Sequence, residues 1–144
     1  MKEPNWVNAT EEEVWKYVAY NLAVEGIESI LVGGSVVSIY SKGIYRSGDL
    51  DIVCNSYTLS NKDLIPIMKK IGFIKKKAGR HFEHPKCSHL YVEFLSPPVM
   101  ISNDYSIKPR EVKIEGKIIK LLNPTDCIKD RLASYIYFKS RECL

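Results

Sequence analysis

The spacing of apolar positions changes several times along the chain, and each change marks an element. Val14, Tyr17, Val18 and Leu22 recur at the 3.6-residue period, which predicts a helix over about residues 11–24. Thr10 as N-cap and Glu13 three residues later form a capping box, and Glu11, Glu12 and Glu13 suit the positive end of the helix dipole. Residues 27–32 are short, β-branched and end at Gly33-Gly34, the pattern of a buried strand running into a turn. Ser35 is then expected to cap a short helix through Val36, Val37, Ile39 and Tyr40 that stops near Gly43. Asp49-Leu50-Asp51-Ile52-Val53-Cys54 alternates charged and apolar residues, which predicts a second strand.

Further on, Leu64, Ile67, Met68 and Ile71 share one face of a helix expected over 63–70. Residues 73–76 read as a short strand and 77–88 as a polar, irregular stretch. A third clear strand covers 90–95 and is stopped by Pro97-Pro98. Residues 112–119 read as a hairpin around Glu115-Gly116. Asn123-Pro124-Thr125-Asp126 opens a C-terminal helix over about 125–141. Helices and strands intermix, so the expected class is α/β (or α+β), a mixed sheet flanked by helices. No repeat or linker divides the chain, and residues 1–144 are expected to form a single domain.

Composition changes this picture little. A chain of 144 residues can bury roughly two-thirds of its unfolded surface, so it needs no staples. Its 45% hydrophobic and 26% charged residues are those of a globular protein. No apolar run reaches membrane-spanning length, and the start Met1-Lys2-Glu3-Pro4-Asn5-Trp6 lacks the apolar core of a signal peptide. No membrane role and a cytoplasmic location are therefore expected. Cys54, Cys87, Cys127 and Cys143 are scattered and form no C-x-x-C pair, so they read as reduced thiols rather than zinc ligands. The net charge of +4 and pI near 8.8 suit polyanionic ligands such as nucleoside triphosphates or RNA. Lys69, Lys70, Lys75, Lys76, Lys77, Arg80 and Lys86 fall close together, as a solvated face or as a patch facing phosphate.

Three features carry candidate chemistry. Gly33-Gly34-Ser35 joins a strand to a helix; glycine lets a phosphate approach the backbone, and the serine hydroxyl can add a hydrogen bond. Asp49 and Asp51, two apart on a strand, point to one face. Paired carboxylates repel and resist burial unless a cation compensates them; a solvent-facing strand edge is the alternative. Glu93 interrupts the apolar run 90–95, where a carboxylate needs a metal or a salt bridge. Arg46, just ahead of the carboxylate strand, can touch phosphate or make a surface ion pair. His81, His84 and His89 lack the i, i+4 register of a helical zinc site. Trp6, Trp15 and the tyrosines at 17, 20, 135 and 137 read as packing residues.

Together, Leu31-Val32-Gly33-Gly34-Ser35, then Asp49-Leu50-Asp51-Ile52, then Glu93 on a later strand resemble the nucleotidyltransferase superfamily that includes DNA polymerase β. Arg46-Ser47-Gly48-Asp49-Leu50-Asp51, with Arg46 one position closer to the serine, looks like the R-x-T/S-x-D-h-D segment of its minimal members, including nucleotidyltransferase-like proteins of toxin–antitoxin and phage-defence systems. The resemblance spans roughly residues 30–95, and a weaker one adds Lys129 and Arg131 on the final helix. It implies that Asp49, Asp51 and Glu93 hold up to two Mg²⁺ ions and that Glu93 serves as general base. It also implies that the Gly33-Gly34-Ser35 turn binds the nucleotide, with Gly34 and Ser35 on its β/γ-phosphates. By their positions Arg46, ahead of the carboxylate strand, and Lys77, Arg80 and His81, in the irregular loop, are further nucleotide-binding candidates. The activity implied is transfer of a nucleoside monophosphate from a triphosphate such as ATP to a hydroxyl of a protein side chain or RNA, with a partner protein as a further option. Two other classes stay open: a catalytically silent nucleotide-binding module, and, less favoured, an antibiotic-modifying adenylyltransferase, a class that usually carries a larger C-terminal substrate domain than residues 1–144 are expected to supply.

Overall fold

The computed structural model describes residues 1–54, 61–76, 81–97, 99 and 107–138. A 3₁₀ turn at Trp6–Asn8 leads into α1 (Glu11–Val24), and β1 (Ser29–Val32), α2 (Gly34–Tyr40) and β2 (Asp49–Cys54) follow. The middle of the chain gives α3 (Asn61–Lys70), β3 (Ile74–Lys75), β4 (His81–His84) and β5 (Cys87–Leu95). The last part is the hairpin β6 (Arg110–Ile114) and β7 (Lys117–Leu121), then α4 (Pro124–Phe138). All seven strands join one sheet in the order β3-β4-β5-β2-β1-β7-β6. β2 pairs parallel with β5 and β1 parallel with β7, while the other pairs are antiparallel, so the sheet is mixed as expected.

Local chemistry accounts for most of the boundaries. At α1 the Thr10 side chain accepts the Glu13 backbone N–H at 3.1 Å, and the Glu13 carboxylate accepts back from the Thr10 N–H. The β6–β7 turn has φ 45° at Glu115 and 83° at Gly116, the two left-handed residues that a tight hairpin requires. Asn123 caps α4 by accepting the Asp126 N–H at 2.8 Å, with Pro124 in the first helical position. The expected extension of α4 to residue 141 lies beyond the described residues.

Four expectations are corrected. The N-cap of α2 is Gly33, not Ser35. Gly33 has φ 78°, a left-handed backbone that glycine takes without strain, and Ser35 falls inside the helix with its hydroxyl donating to the Val32 carbonyl at 3.5 Å. The stretch 77–88 is not irregular throughout: residues 81–84 form β4, and β5 already starts at Cys87. β4 buries Phe82 and His84 while His81 and Glu83 face the other way, so a polar sequence still makes a strand. The strand expected over 73–76 shrinks to Ile74–Lys75. Helix α3 starts earlier than expected, at Asn61.

One face of the sheet is packed. Leu31, Leu50, Ile52, Phe82, Leu90, Val92, Phe94, Ile119 and Leu121 join Val14, Trp15, Val18 and Leu22 of α1 and Leu64 and Met68 of α3 in a single buried cluster. Trp6 closes its edge, with its ring stacked on His84 at 3.9 Å and set edge-on to Tyr17 and Phe73. Trp6 and Trp15 are thus core residues, as expected. α2 touches β1, β2, α1 and α4. Helix α4 leaves Ile128, Leu132 and Ile136 exposed at four-residue spacing. No described helix is long and apolar enough to cross a membrane.

Candidate active site

The strand order puts β2 between β1 and β5, so whatever β2 presents on its less packed face is flanked by both neighbours. In the parallel β2–β5 pair Asp51 stands opposite Glu93 and Asp49 opposite Tyr91. Directly paired residues share a face, and the strand period then places Asp49, Asp51, Tyr91 and Glu93 together. One carboxylate oxygen from each of Asp49, Asp51 and Glu93 lies within 4.8 Å of the others. All three side chains are half-buried. Among the described residues the histidines join no such cluster: His84 is stacked on Trp6, and His89 contacts the Ala9 carbonyl at 2.7 Å through Nε2.

Crowding shows in the electrostatics. Burial first, then the charge and hydrogen bond of Asp49, then the charge of Glu93 push Asp51 up to about 7 from its ordinary 3.8, while Arg131 on α4 pulls the other way. The Tyr91 hydroxyl is also raised, by burial first and then by the same three acids. An oxygen-only donor set of this kind suits Mg²⁺ or Mn²⁺, and two like charges at this distance are relieved by a bound cation. The residues present therefore fit a divalent cation.

The glycine turn sits against this cluster. A Cβ on Gly33 would lie 2.5 Å from Asp51 Oδ2, a distance real side chains do not tolerate. A Cβ on Gly34 would lie 2.8 Å from Ser47 Oγ and 3.3 Å from the Tyr45 hydroxyl. Both glycines are thus fixed by close approach as well as by the turn. Ser47 donates from Oγ to Asp49 Oδ1 at 2.6 Å. Ser35 is fully buried.

Arg46 is placed differently. It is exposed and lines a cavity of about 380 Å³ with Asn8, Glu11, Ser38, Gly48 and His89; none of the three acids lines that cavity. Lys77 and Arg80 lie outside the described residues, as does Cys143. Cys54, Cys87 and Cys127 are buried free thiols, and burial pushes Cys54 up to about 12 and Cys127 up to about 11, which leaves both protonated and inert. His81 stands opposite Glu93 on β4, its Nε2 3.1 Å from Glu83 and its ring 4.7 Å from that of Tyr91. Lys129 is exposed, and Arg131 pairs with Asp130 at 2.9 Å.

Two residues of this neighbourhood escaped the sequence reading. Glu11 is 5% exposed and its Oε1 accepts the backbone N–H groups of Ser47 and Gly48, each at 2.8 Å. Its position in a first helical turn already explained an acid there, so nothing flagged a second task. Ser47 was inside the Arg46–Asp51 segment, and its placement two residues before Asp49 was the available signal.

No protein-family model and no curated protein sequence matches the chain. Among solved structures it is similar to an antigenic nucleotidyltransferase-like protein from Paracoccidioides brasiliensis, with TM-score 0.68 and 18% identity over 92% of this chain and 70% of that one. The acid cluster and glycine turn thus sit on a nucleotidyltransferase-like fold.

Proposed function

We propose that residues 1–144 form one domain that acts as a divalent-cation-dependent nucleotidyltransferase, moving a nucleoside monophosphate from a triphosphate such as ATP to a hydroxyl of a protein side chain or RNA. The observation that carries this reading is the convergence of Asp49, Asp51 and Glu93 within 4.8 Å, two from one strand and one from its parallel neighbour. A cluster of three acids with Asp51 pushed up to about 7 is poorly suited to stand alone. The likeness in fold supports the same class.

Asp49, Asp51 and Glu93 would hold Mg²⁺. Bound there, the cation supplies charge neutralisation at the phosphates and lowers the pKa of the attacking hydroxyl. The chain's own residues do the rest. The Gly33-Gly34 backbone, bare of side chains, admits the triphosphate close to Asp51. Glu93, on the far side of Asp51 from β1, takes the proton of the acceptor hydroxyl as that oxygen bonds to the α-phosphorus and pyrophosphate leaves. Asp51 must lose its own proton before it can serve as a ligand. Arg46 is one residue from Ser47 and exposed, free to meet phosphate charge at the rim. The form of the Arg46–Asp51 segment supports a setting in a toxin–antitoxin or phage-defence system, and reduced, buried cysteines suit the cytoplasm.

The experiment is calorimetry of the four nucleoside triphosphates with and without Mg²⁺, on the native chain and on Asp49→Asn and Asp51→Asn, followed by incubation of labelled triphosphate with lysate. Mg²⁺-dependent binding that both variants lose, and label appearing on protein or RNA, are the expected results. Binding that persists with no transferred label makes the chain a silent nucleotide-binding module. Equal binding with and without Mg²⁺ removes the cation from the reading.

A further inference from the structure

Glu11 belongs to α1, the helix packed across the sheet, yet its carboxylate is spent on β2's approach rather than on its own helix. One oxygen, Oε1, accepts two consecutive backbone N–H groups at 2.8 Å, from Ser47 and Gly48. Charge-assisted bonds of this kind are roughly twice as strong as neutral ones, and they fix the turn immediately ahead of Asp49. Gly48 itself has φ 84°, so this backbone is one that most residues resist and that an external anchor holds in place. The anchored turn aims the Ser47 hydroxyl at Asp49 Oδ1, 2.6 Å away. Gly34 leaves room for that hydroxyl, since a Cβ there would come within 2.8 Å of it. A continuous chain of contacts thus runs from the start of α1 to a carboxylate of the cluster.

We propose that Glu11 is a positioning residue: through the Ser47–Gly48 turn and the Ser47 hydroxyl it sets the orientation in which Asp49 meets a divalent cation. This inference rests on the cation-binding reading of the cluster. A carboxylate ligand whose second oxygen is hydrogen-bonded presents the other in a fixed direction, and loss of such a supporting partner typically costs about 10–100-fold in metal affinity. The bland alternative is that Glu11 only staples α1 to β2. The two differ at Ser47, because removing its hydroxyl leaves the Glu11 staple whole.

Mn²⁺ is the probe, titrated into the 144-residue chain by calorimetry, with the electron paramagnetic resonance spectrum of the bound ion as a second readout. The variants are Ser47→Ala, Glu11→Gln and Glu11→Ala, each checked by thermal melting without metal. The native chain is expected to bind Mn²⁺, and Ser47→Ala to bind it about 10-fold or more weakly with an unchanged melting temperature. Glu11→Gln keeps an oxygen that can accept both N–H groups, so its affinity should fall between those of the native chain and Glu11→Ala, and the bound-ion spectrum should broaden in the same order. Native-like Mn²⁺ affinity in Ser47→Ala, or in a folded Glu11→Ala, overturns the positioning role while the cation site stands. If Glu11→Ala does not fold, Ser47→Ala and Glu11→Gln decide. A native chain that binds no Mn²⁺ overturns the cation reading itself and this inference with it.

Discussion

Asp51 stands where burial and two neighbouring acids act in the same direction. Its raised pKa means that the folded chain holds this proton more tightly than the unfolded chain does. The stability tied to it is therefore complete below about pH 4, the unfolded value, and is lost as pH rises through about 7. The metal-free protein is expected to melt at progressively lower temperature across that window. A cation competes with the same proton, so Mg²⁺ affinity should climb up to about pH 7 and level off above it. Melting curves and Mg²⁺ titrations at several pH values check both trends, and Asp51→Asn should flatten both. A melting temperature that rises with pH in the absence of metal would contradict the crowding. At this scale Asp49 and Asp51 were legible because a two-residue period on one strand needs no tertiary information, and Glu93 because a carboxylate interrupts the apolar run 90–95. Glu11 was not, because a carboxylate in a first helical turn has a sufficient local reason to be there.

Whole elements were legible wherever periodicity and end signals agreed. α1 has both, and its capping box forms as the residues Thr10 and Glu13 imply. β2 and the β6–β7 hairpin are equally local, one in its alternation and the other in Glu115-Gly116. β4 failed this test because only Phe82 among His81-Phe82-Glu83-His84 reads as apolar, whereas His84 is buried by stacking on Trp6, a contact made across more than half the chain. The Ser35 cap failed for a different reason. Local preference for a serine N-cap lost to the need for a left-handed residue without a Cβ beside Asp51, which Gly33 supplies. The cap at Thr10 carries a prediction of its own. Thr10→Ala removes the bond to the Glu13 N–H and is expected to lower stability by about 1 kcal/mol in urea denaturation. Because Glu11 lies in the turn so capped, the same variant should weaken Mn²⁺ binding slightly, and less than Glu11→Ala does.

Across the whole molecule the sheet divides its labour between its faces. The face toward α1 and α3 holds the continuous apolar cluster, while Asp49, Asp51, Glu93, His81 and Tyr91 share the other. The general outline of this arrangement could be read from alternation in the strands, but the order β3-β4-β5-β2-β1-β7-β6 could not, since pairing partners far apart in sequence leave no local trace. Two aromatic residues on adjacent strands separate the faces cleanly. Phe82 is wholly buried, opposite Val92 and edge-on to Phe94, whereas Tyr91, one residue along β5, is 37% exposed. Phe82→Ala should cost about 3–5 kcal/mol, a lost side chain plus the cavity it leaves. Tyr91→Ala removes a partly solvated ring and should cost about 1 kcal/mol or less. The order reverses for ligand: Tyr91 stands opposite Asp49, so its loss should change triphosphate affinity in the presence of Mg²⁺, while a Phe82→Ala protein that still folds should bind as the native chain does. Urea denaturation and calorimetry on the same two variants test this together. A Tyr91→Ala chain as unstable as Phe82→Ala would mean that the acid-bearing face is packed as tightly as the core, with no open surface on which a nucleotide could lie.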